Sequence, residues 1–377
     1  MRYGPGMRTH NALDHLTTQA ELERRCAFAY EPYLQRALQR RATSGELVRP
    51  HRGLYARTEY WTALNPAERR LHVIRALALR NPERVFADVD AAAALGLEQS
   101  WTLLGKTPVH VLGSPRSYGN IRCVWPADHD VCEVRDAGTA AMTVRRRPDD
   151  CPIPEPGTIL VTSPAATLVM CGLRLPFARA LPLFDSALRK GLVSREAIVA
   201  AAQSYHGPCD GLLRLARCAD PLSENGGESW LRGLILDDRF VVPELQCEFV
   251  DPAAGVRYRV DFAWRLPNGD RVVLEYDGTG KYVDPTMTGG RDIRQIVHAE
   301  RQREAVLRNE RVTTILRANY DDVLRWYPLR QRLIEAGVPR MFPTSVSPSD
   351  RRRTCLREVV GCGLRTRMRM TRRYTAL

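Results

Sequence analysis

Apolar and polar positions alternate most regularly in the last third of the chain. Tyr258, Val260, Phe262 and Trp264 alternate with Arg259, Asp261 and Ala263, and Val272, Leu274 and Tyr276 alternate with Val273, Glu275 and Asp277. A period of two predicts two strands. Leu266 to Asp270, around Asn268-Gly269, reads as the hairpin loop between them, which sets Arg265 against Arg271 and pairs Trp264/Val272, Phe262/Leu274 and Val260/Tyr276. Every apolar side chain then meets an apolar one. A slip of one residue would oppose Phe262 to Glu275 and turn one apolar row outward, which a buried face does not permit.

That register places Asp261 across from Glu275 and Asp277 across from Arg259. Carboxylates directly opposite each other repel unless something intervenes. One answer is protonation of one of them. Another is Mg²⁺ or Mn²⁺ between them, since hard cations take carboxylate oxygens and keep several waters. A third is a solvated polar face. Asp277 and Arg259 make a cross-strand ion pair that needs no catalysis.

The amino-terminal pattern is helical. Thr18-x-x-Glu21 reads as a capping box opening a short helix. Tyr33 to Arg41 continues as a second helix with Leu34, Ala37 and Leu38 on one side, and Gly45 ends it. Glu46-Leu-Val-Arg and Gly53-Leu-Tyr-Ala then form two short strands around Pro50-His-Arg. Two helices and a β-wing outline a winged helix-turn-helix. In that arrangement the second helix enters the major groove, where Gln35, Arg36, Gln39 and Arg40 meet base edges or phosphates.

Between these regions the pattern predicts helices at Glu68 to Leu79, Ala91 to Leu97, Phe177 to Arg189 and Arg195 to Gln203, and strands at Val109 to Leu112 and Thr158 to Val161. Pro148 to Pro156, with four prolines, reads as a loop. There is no Gly-rich phosphate loop and no internal repeat. A connecting or regulatory role is expected of this stretch.

From Glu224 to Leu324 the order is a helix bearing Glu228, Tyr258-Arg-Val-Asp-Phe, Val272-Val-Leu-Glu-Tyr-Asp-Gly, a helix from His298 to Arg308 and a strand Thr314-Ile-Leu-Arg. This order resembles the PD-(D/E)XK nuclease superfamily, nearest its very-short-patch-repair-like branch, over about a quarter of the chain. The resemblance implies a restriction-endonuclease-like α/β domain in which Asp261 and Glu275 bind metal, with Glu228 as a further ligand. It also implies hydrolysis of phosphodiesters by metal-activated water. The chain departs from the superfamily at Asp277, where Lys is most frequent, although the nearest branch often shows acid-x-Asp-Gly. Lys281, on the loop beyond, is the candidate substitute for that lysine. Arg301, Arg303 and Arg308 are expected on the outer face of the 298–308 helix as phosphate partners.

Gly45-Glu-Leu-Val-Arg49 and Arg52-Gly-Leu-Tyr55 resemble the winged helix of AbiEi-type antitoxins and related bacterial regulators, which adds Arg49 and Arg52 to the expected DNA contacts. Val161-Thr-Ser-Pro-Ala-Ala-Thr-Leu is similar to the middle region of such proteins, but Ala166 and Met170 stand where that family commonly has Arg and Asp. A homodimer or a toxin partner is compatible with this likeness.

Composition adjusts the picture modestly. The net charge is +13, but nine Arg against Asp350 and Glu358 put about +7 of it beyond residue 349, leaving about +6 for the body. A mildly basic body suits DNA. The Ser- and Arg-rich end reads as a disordered tail. Ten cysteines include no Cys-x-x-Cys pair, and no apolar run is long enough for a signal region or a membrane span, so a cytoplasmic location with reduced thiols is expected and a membrane is not a partner. His110, His129 and His206 lack partners at ligand spacing.

The expected organisation is an α/β multidomain chain: a winged helix-turn-helix at 12–60, a mixed α/β connecting or regulatory domain at 61–220, a nuclease-like α/β domain at 224–342 and a basic tail at 343–377. Two functions follow from it. One is a DNA-binding, Mg²⁺- or Mn²⁺-dependent endonuclease. The other is a non-catalytic, antitoxin-like regulator that keeps a degenerate nuclease fold.

Overall fold

The computed structural model describes residues 5–341 apart from 106–107, 114–119, 124–129, 140, 148–153, 156, 252–254, 279–302 and 304. Lys281, Arg301, most of the proline-rich loop and the basic tail lie outside the described residues. The fold is mixed α/β, and among the described residues no helix is long and apolar enough to cross a membrane.

The chain opens with helices α1 (Pro5–Leu22) and α2 (Pro32–Thr43) and an antiparallel ribbon, β1 (Leu47–His51) and β2 (Leu54–Arg57). Leu13, Ala37, Leu38, Leu47 and Tyr55 form a small core among them. Gly45 releases the chain from α2 with φ +82°, and Gly53 turns the ribbon with φ +71°, both conformations that a side chain disfavours. Thr18 and Glu21 do not open a helix. They lie near the end of α1, where their spacing puts both on one face, and there they receive Arg57: its Nη2 donates to Thr18 Oγ1 at 2.9 Å and its Nε to Glu21 Oε1 at 2.8 Å.

Helices α3 (Thr58–Ala63) and α4 (Pro66–Arg80) follow, the second opened by a reciprocal Asn65/Glu68 capping box. A six-stranded sheet comes next, built from β3 (Val85–Phe86), β4 (Val109–Leu112), β5 (Asn120–Cys123), β6 (Val131–Arg135), β7 (Thr143–Arg146) and β8 (Ile159–Thr162) in the order β5-β4-β3-β8-β6-β7. Helix α5 (Asp88–Ala94) leaves β3, and α6 (Pro164–Arg174), α7 (Phe177–Arg189), α8 (Arg195–Ser204) and α9 (Asp210–Cys218) follow β8. Their apolar sides share the largest core of the protein, including Leu77, Phe86, Val161, Leu168 and Phe184. Buried acids in this layer have basic partners: Asp90 receives Arg70 and His110, and Asp88 receives Arg174. No disulfide joins the described cysteines.

Helix α10 (Gly226–Asp237) packs against α7 closely enough that a Cβ on Gly233 would lie 2.6 Å from Ala178 Cα. Across the same contact Arg232 Nη2 donates to both oxygens of Asp185 at 2.7 Å. The second sheet has the order β12-β11-β10-β9, from β9 (Glu244–Asp251), β10 (Val256–Arg265), β11 (Arg271–Asp277) and β12 (Val312–Asn319), with β11 and β12 parallel and the other pairs antiparallel. One face, with Phe262, Trp264, Val272 and Leu274, packs on α10 and on Leu329 and Leu333 of helix Trp326–Glu335. The other face packs on Val306 and Leu307, within the helical residues 305–309.

The hairpin has the expected pairs from Arg265/Arg271 to Phe262/Leu274, and Gly269 at φ +86° turns its loop. Beyond that point it departs from expectation. Val260 does not join Phe262 and Trp264 on one face; it packs with Ala263 and Val273 on the other. At the break the Asp261 carboxylate stands in for a strand carbonyl, its Oδ2 accepting the Tyr276 N–H at 2.7 Å. The regular strand period therefore changes phase at Asp261.

Candidate acidic site at the sheet edge

Three elements bring acids to this break. Asp261 comes from β10, Glu275 from β11 and Glu228 from the first turn of α10. The local sequence explains the position of Glu228. Asn225 caps the helix by accepting from the N–H groups of Gly227 and Glu228 at 2.9 and 3.0 Å, and Glu228 Oε2 accepts the Glu224 N–H at 2.8 Å. Asn225 Nδ2 also donates to Glu228 Oε1. The Glu228 side chain is thus fixed while being only 4 % exposed as a residue.

A fourth side chain was not anticipated. Gln246 lies opposite Asp261 in the β9/β10 ladder, between the pairs Val260/Cys247 and Phe262/Leu245, and has φ +51°. Non-glycine residues rarely adopt that conformation. Its Nε2 donates to Glu228 Oε2 at 3.2 Å, while its Oε1 is buried with no hydrogen-bond partner. The neighbouring residues Leu245 and Cys247 show ordinary strand alternation, so no sequence pattern marks the distortion.

All three acids hold their protons more tightly than usual. Burial raises the pKa of Glu228 to about 7, helped by the negative charges of Asp261 and Glu224. Burial also raises Asp261, with Glu224 adding to it against the hydrogen bonds from Tyr276 and Gln246. Glu275 is raised by burial and by Asp261, against the guanidinium groups of Arg303 and Arg317. Asp261 is thus the acid that repels both of the others. Asp261 acts on Glu275 across the hairpin, but the ladder ends at Phe262/Leu274, so the expected direct opposition of Asp261 and Glu275 is not among its pairs.

The remaining expected residues divide. Asp277 is exposed at the end of β11, and Arg259, its expected partner, pairs with Glu224 at 2.7 Å. Arg303 does not face outward: it donates to Glu275 Oε1 and to the Arg259 carbonyl at 3.2 Å, because the acidic surplus at the sheet draws its guanidinium inward. Gln35, Arg36, Gln39 and Arg40 share the exposed side of α2, with Arg49 and Arg52 exposed on the ribbon. Gln35 is tied back to the carbonyls of Ala29 and Tyr30 at 3.0 and 3.2 Å, and Arg36 Nε to that of Pro32 at 3.3 Å. Of the three histidines singled out, His110 is buried against Asp90 at 2.9 Å, His206 is exposed, and His129 lies outside the described residues.

Among the described residues no three His, Cys, Asp or Glu side chains are arranged to hold a metal ion. The donor chemistry nevertheless fits a hard cation. Burial raises all three oxygen acids, Asp261 adds to the rise of Glu228 and Glu275, and Gln246, whose Oε1 has no partner, has its amide nitrogen against Glu228. No protein-family model, no curated protein and no solved structure matches this chain.

Proposed function

We propose that the chain is a DNA-binding protein whose carboxyl-terminal sheet is a restriction-endonuclease-like nuclease domain of the PD-(D/E)XK kind, hydrolysing phosphodiesters with Mg²⁺ or Mn²⁺. The observation that carries this reading is the convergence of Glu228, Asp261 and Glu275 on one break in a strand, where the Asp261 carboxylate replaces a ladder acceptor, burial raises all three acids and Asp261 adds to the rise of the other two. Buried acids whose pKa values are raised by burial and by a neighbouring acid are candidates for a functional site. Asp261 and Glu275, with Glu228, would hold the cation. When bound there it supplies Lewis acidity and lowers the pKa of water. Arg303, already facing Glu275, offers a guanidinium to a phosphate oxygen. In the reaction a water oxygen bonds to phosphorus, the bond to one sugar oxygen breaks, and that leaving oxygen takes a proton.

The helix–helix–ribbon module at the amino terminus is read as a winged helix of the AbiEi-like kind that holds duplex DNA. Among the described residues the side chains of Arg40, Arg49 and Arg52 make no hydrogen bond or ion pair, which leaves them available for phosphates.

One observation favours a second reading, the non-catalytic regulator. Asp277 occupies the usual lysine position and Glu275 is already neutralised by Arg303. Incubation of plasmid and linear DNA with Mg²⁺ or Mn²⁺ separates the two. Cleavage by the wild type, reduced about a thousandfold or more in Asp261→Ala/Glu275→Ala, is expected of the nuclease. Equal DNA binding with no cutting by either protein assigns the chain to the regulators.

A further inference from the structure

Beside the acidic site opens a cleft of about 700 Å³, lined by the segment after α5 on one side and by α10 and the end of β11 on the other. That size accommodates a small organic ligand. Its walls combine ring faces with hydrogen-bonding groups: Trp101, Tyr276 and Tyr320 with Ser100, Arg179 and Asn225. We infer that this cleft receives one unstacked nucleotide of a DNA strand, placed against the acids by the two walls together. The inference rests on the nuclease reading and names the form of its substrate.

Each wall is built for a flat aromatic ligand. Trp101 belongs to a short 3₁₀ turn (Trp101–Leu103) and is 43 % exposed, so a large ring face is offered to solvent rather than used in the core. Arg179 lies flat over Trp230, its Cζ 3.7 Å from the ring centroid, and its Nη1 donates to Ser100 Oγ at 2.9 Å and Thr102 Oγ1 at 3.0 Å. Among the described residues its Nε and Nη2 make no hydrogen bond. A guanidinium stacked on an indole, with donors to spare, suits a base edge or a phosphate oxygen. In the same lining, Gln99 Oε1 is buried without a partner while its Nε2 is spent on the Val89 carbonyl at 3.0 Å.

The join to the acidic site is direct. Asn225 both lines the cleft and caps the helix that carries Glu228. Tyr276 lines the cleft with its side chain and gives its backbone N–H to Asp261. The ring of Tyr276 presses on α10 where Gly227 has no side chain; a Cβ there would fall 2.2 Å from Tyr276 Cε1. On the other wall a Cβ on Gly226 would lie 3.2 Å from Glu98 Cβ. Gly226 therefore lets the two walls approach, while Gly227 seats the Tyr276 ring against α10 within one of them. On this inference the phosphate of a base stacked there lies toward Glu228 and Asp261, to which Asn225 and Tyr276 connect the cleft. Stacking is tolerant of base identity, so the cleft selects strand form rather than sequence.

The test uses the full chain carrying Asp261→Ala/Glu275→Ala, so that hydrolysis cannot intervene, and a short fluorescein-labelled single-stranded DNA with 2-aminopurine as the probe. Adding Trp101→Ala is expected to weaken binding roughly tenfold and to relieve 2-aminopurine quenching, while Trp101→Phe retains most of both. Unchanged affinity and quenching in Trp101→Ala overturn the inference, as does equal displacement of the probe by a deoxynucleoside monophosphate and by an unlabelled strand at the same nucleotide concentration. The nuclease reading fails separately. Absence of cleavage by the wild type with a Trp101 effect on binding removes hydrolysis and keeps the nucleotide cleft, whereas cleavage indifferent to Trp101→Ala keeps hydrolysis and removes the cleft.

Discussion

The two large sheets of this protein bury carboxylates in opposite ways. Beside the six-stranded sheet, Asp90 is fully buried, and burial alone would push its pKa up; hydrogen bonds from the His110 side chain and from Arg70 outweigh that and hold it low. Arg70 Nη2 reaches Asp90 Oδ2 at 2.8 Å and the Pro108 carbonyl at 2.9 Å, so the pair leaves few polar atoms stranded. At the four-stranded sheet, Glu228, Asp261 and Glu275 are less deeply buried as a group, yet all three rise and Asp261 contributes to the rise of the other two. Asp185 shows that burial by itself is not the difference. It too is raised by burial, but the neighbours acting on it are Arg232, the Asp220 backbone N–H and Ser229, all of which lower its pKa, and no carboxylate charge is among them. Burial with a matched cation builds structure. Burial of acids against one another costs stability unless a ligand supplies the charge, and that is the mark of a site.

The largest effect expected from this contrast is on folding. Arg70→Ala strands the Asp90 charge in the core and is expected to lower stability by about 3–5 kcal/mol, read as the shift in denaturant midpoint at constant m-value. Asp261→Asn serves as its opposite number, because it removes a charge from a place with too many of one sign. If both substitutions destabilise to the same extent, the acidic group is only another structural pair.

How much of this contrast the sequence discloses depends on its range. The hairpin from Arg265/Arg271 to Phe262/Leu274 is legible because side-chain alternation and the Asn268-Gly269 turn act within a few residues. So are the helices near Glu68, Phe177 and Arg195, where apolar periodicity is strong. Thr18-x-x-Glu21 misleads because the spacing that makes a capping box also puts two residues on one helix face, and here that face receives Arg57. The phase change at Asp261 is not legible, since it arises from a side chain replacing a backbone acceptor across the sheet, and no neighbouring residue marks the left-handed Gln246. Arg303 was expected outside for the same reason: helical periodicity marks it as polar but carries no information about Glu275. Nor is the cleft, whose two walls are far apart in the chain.

The next effect concerns protons. Because the pKa of Glu228 rises from 4.5 to about 7 on folding, the folded chain holds a proton that the unfolded chain has released. Its contribution to stability is fully present below pH 4.5 and is lost as the pH climbs through about 7. The melting temperature of the wild type in chelator is therefore expected to fall between pH 5 and pH 8, on the order of a few degrees, and Glu228→Gln to flatten that fall. The glutamine oxygen can still accept from the Glu224 N–H and Gln246 Nε2, but its –NH2 then faces Asn225 Nδ2, so the variant is expected to lose some stability at every pH and the slope with pH, not the height of the curve, is the readout. Parallel pH profiles in the two proteins would show that Glu228 carries no extra proton. Added Mg²⁺ or Mn²⁺ is expected to restore wild-type stability at pH 8 if it binds only the folded site.

The smallest effect is the most discriminating. Asp261→Asn keeps the shape of the side chain and retains an oxygen for the Tyr276 N–H, so the bond that replaces the strand ladder survives. What it removes is the negative charge that raises Glu228 and Glu275. Relief of repulsion between neighbouring acids is worth up to about 1 kcal/mol, so in chelator at pH 8 the variant is expected to be slightly more stable than the wild type. With Mg²⁺ or Mn²⁺ the order should reverse, because the wild type gains binding energy and the variant has lost an oxygen donor of formal charge. A structural acid shows neither sign, since its replacement lowers stability with or without the cation. Paired thermal melts of the two proteins, each with chelator and with metal, therefore decide whether the four-stranded sheet gathers its acids for a ligand or only tolerates them.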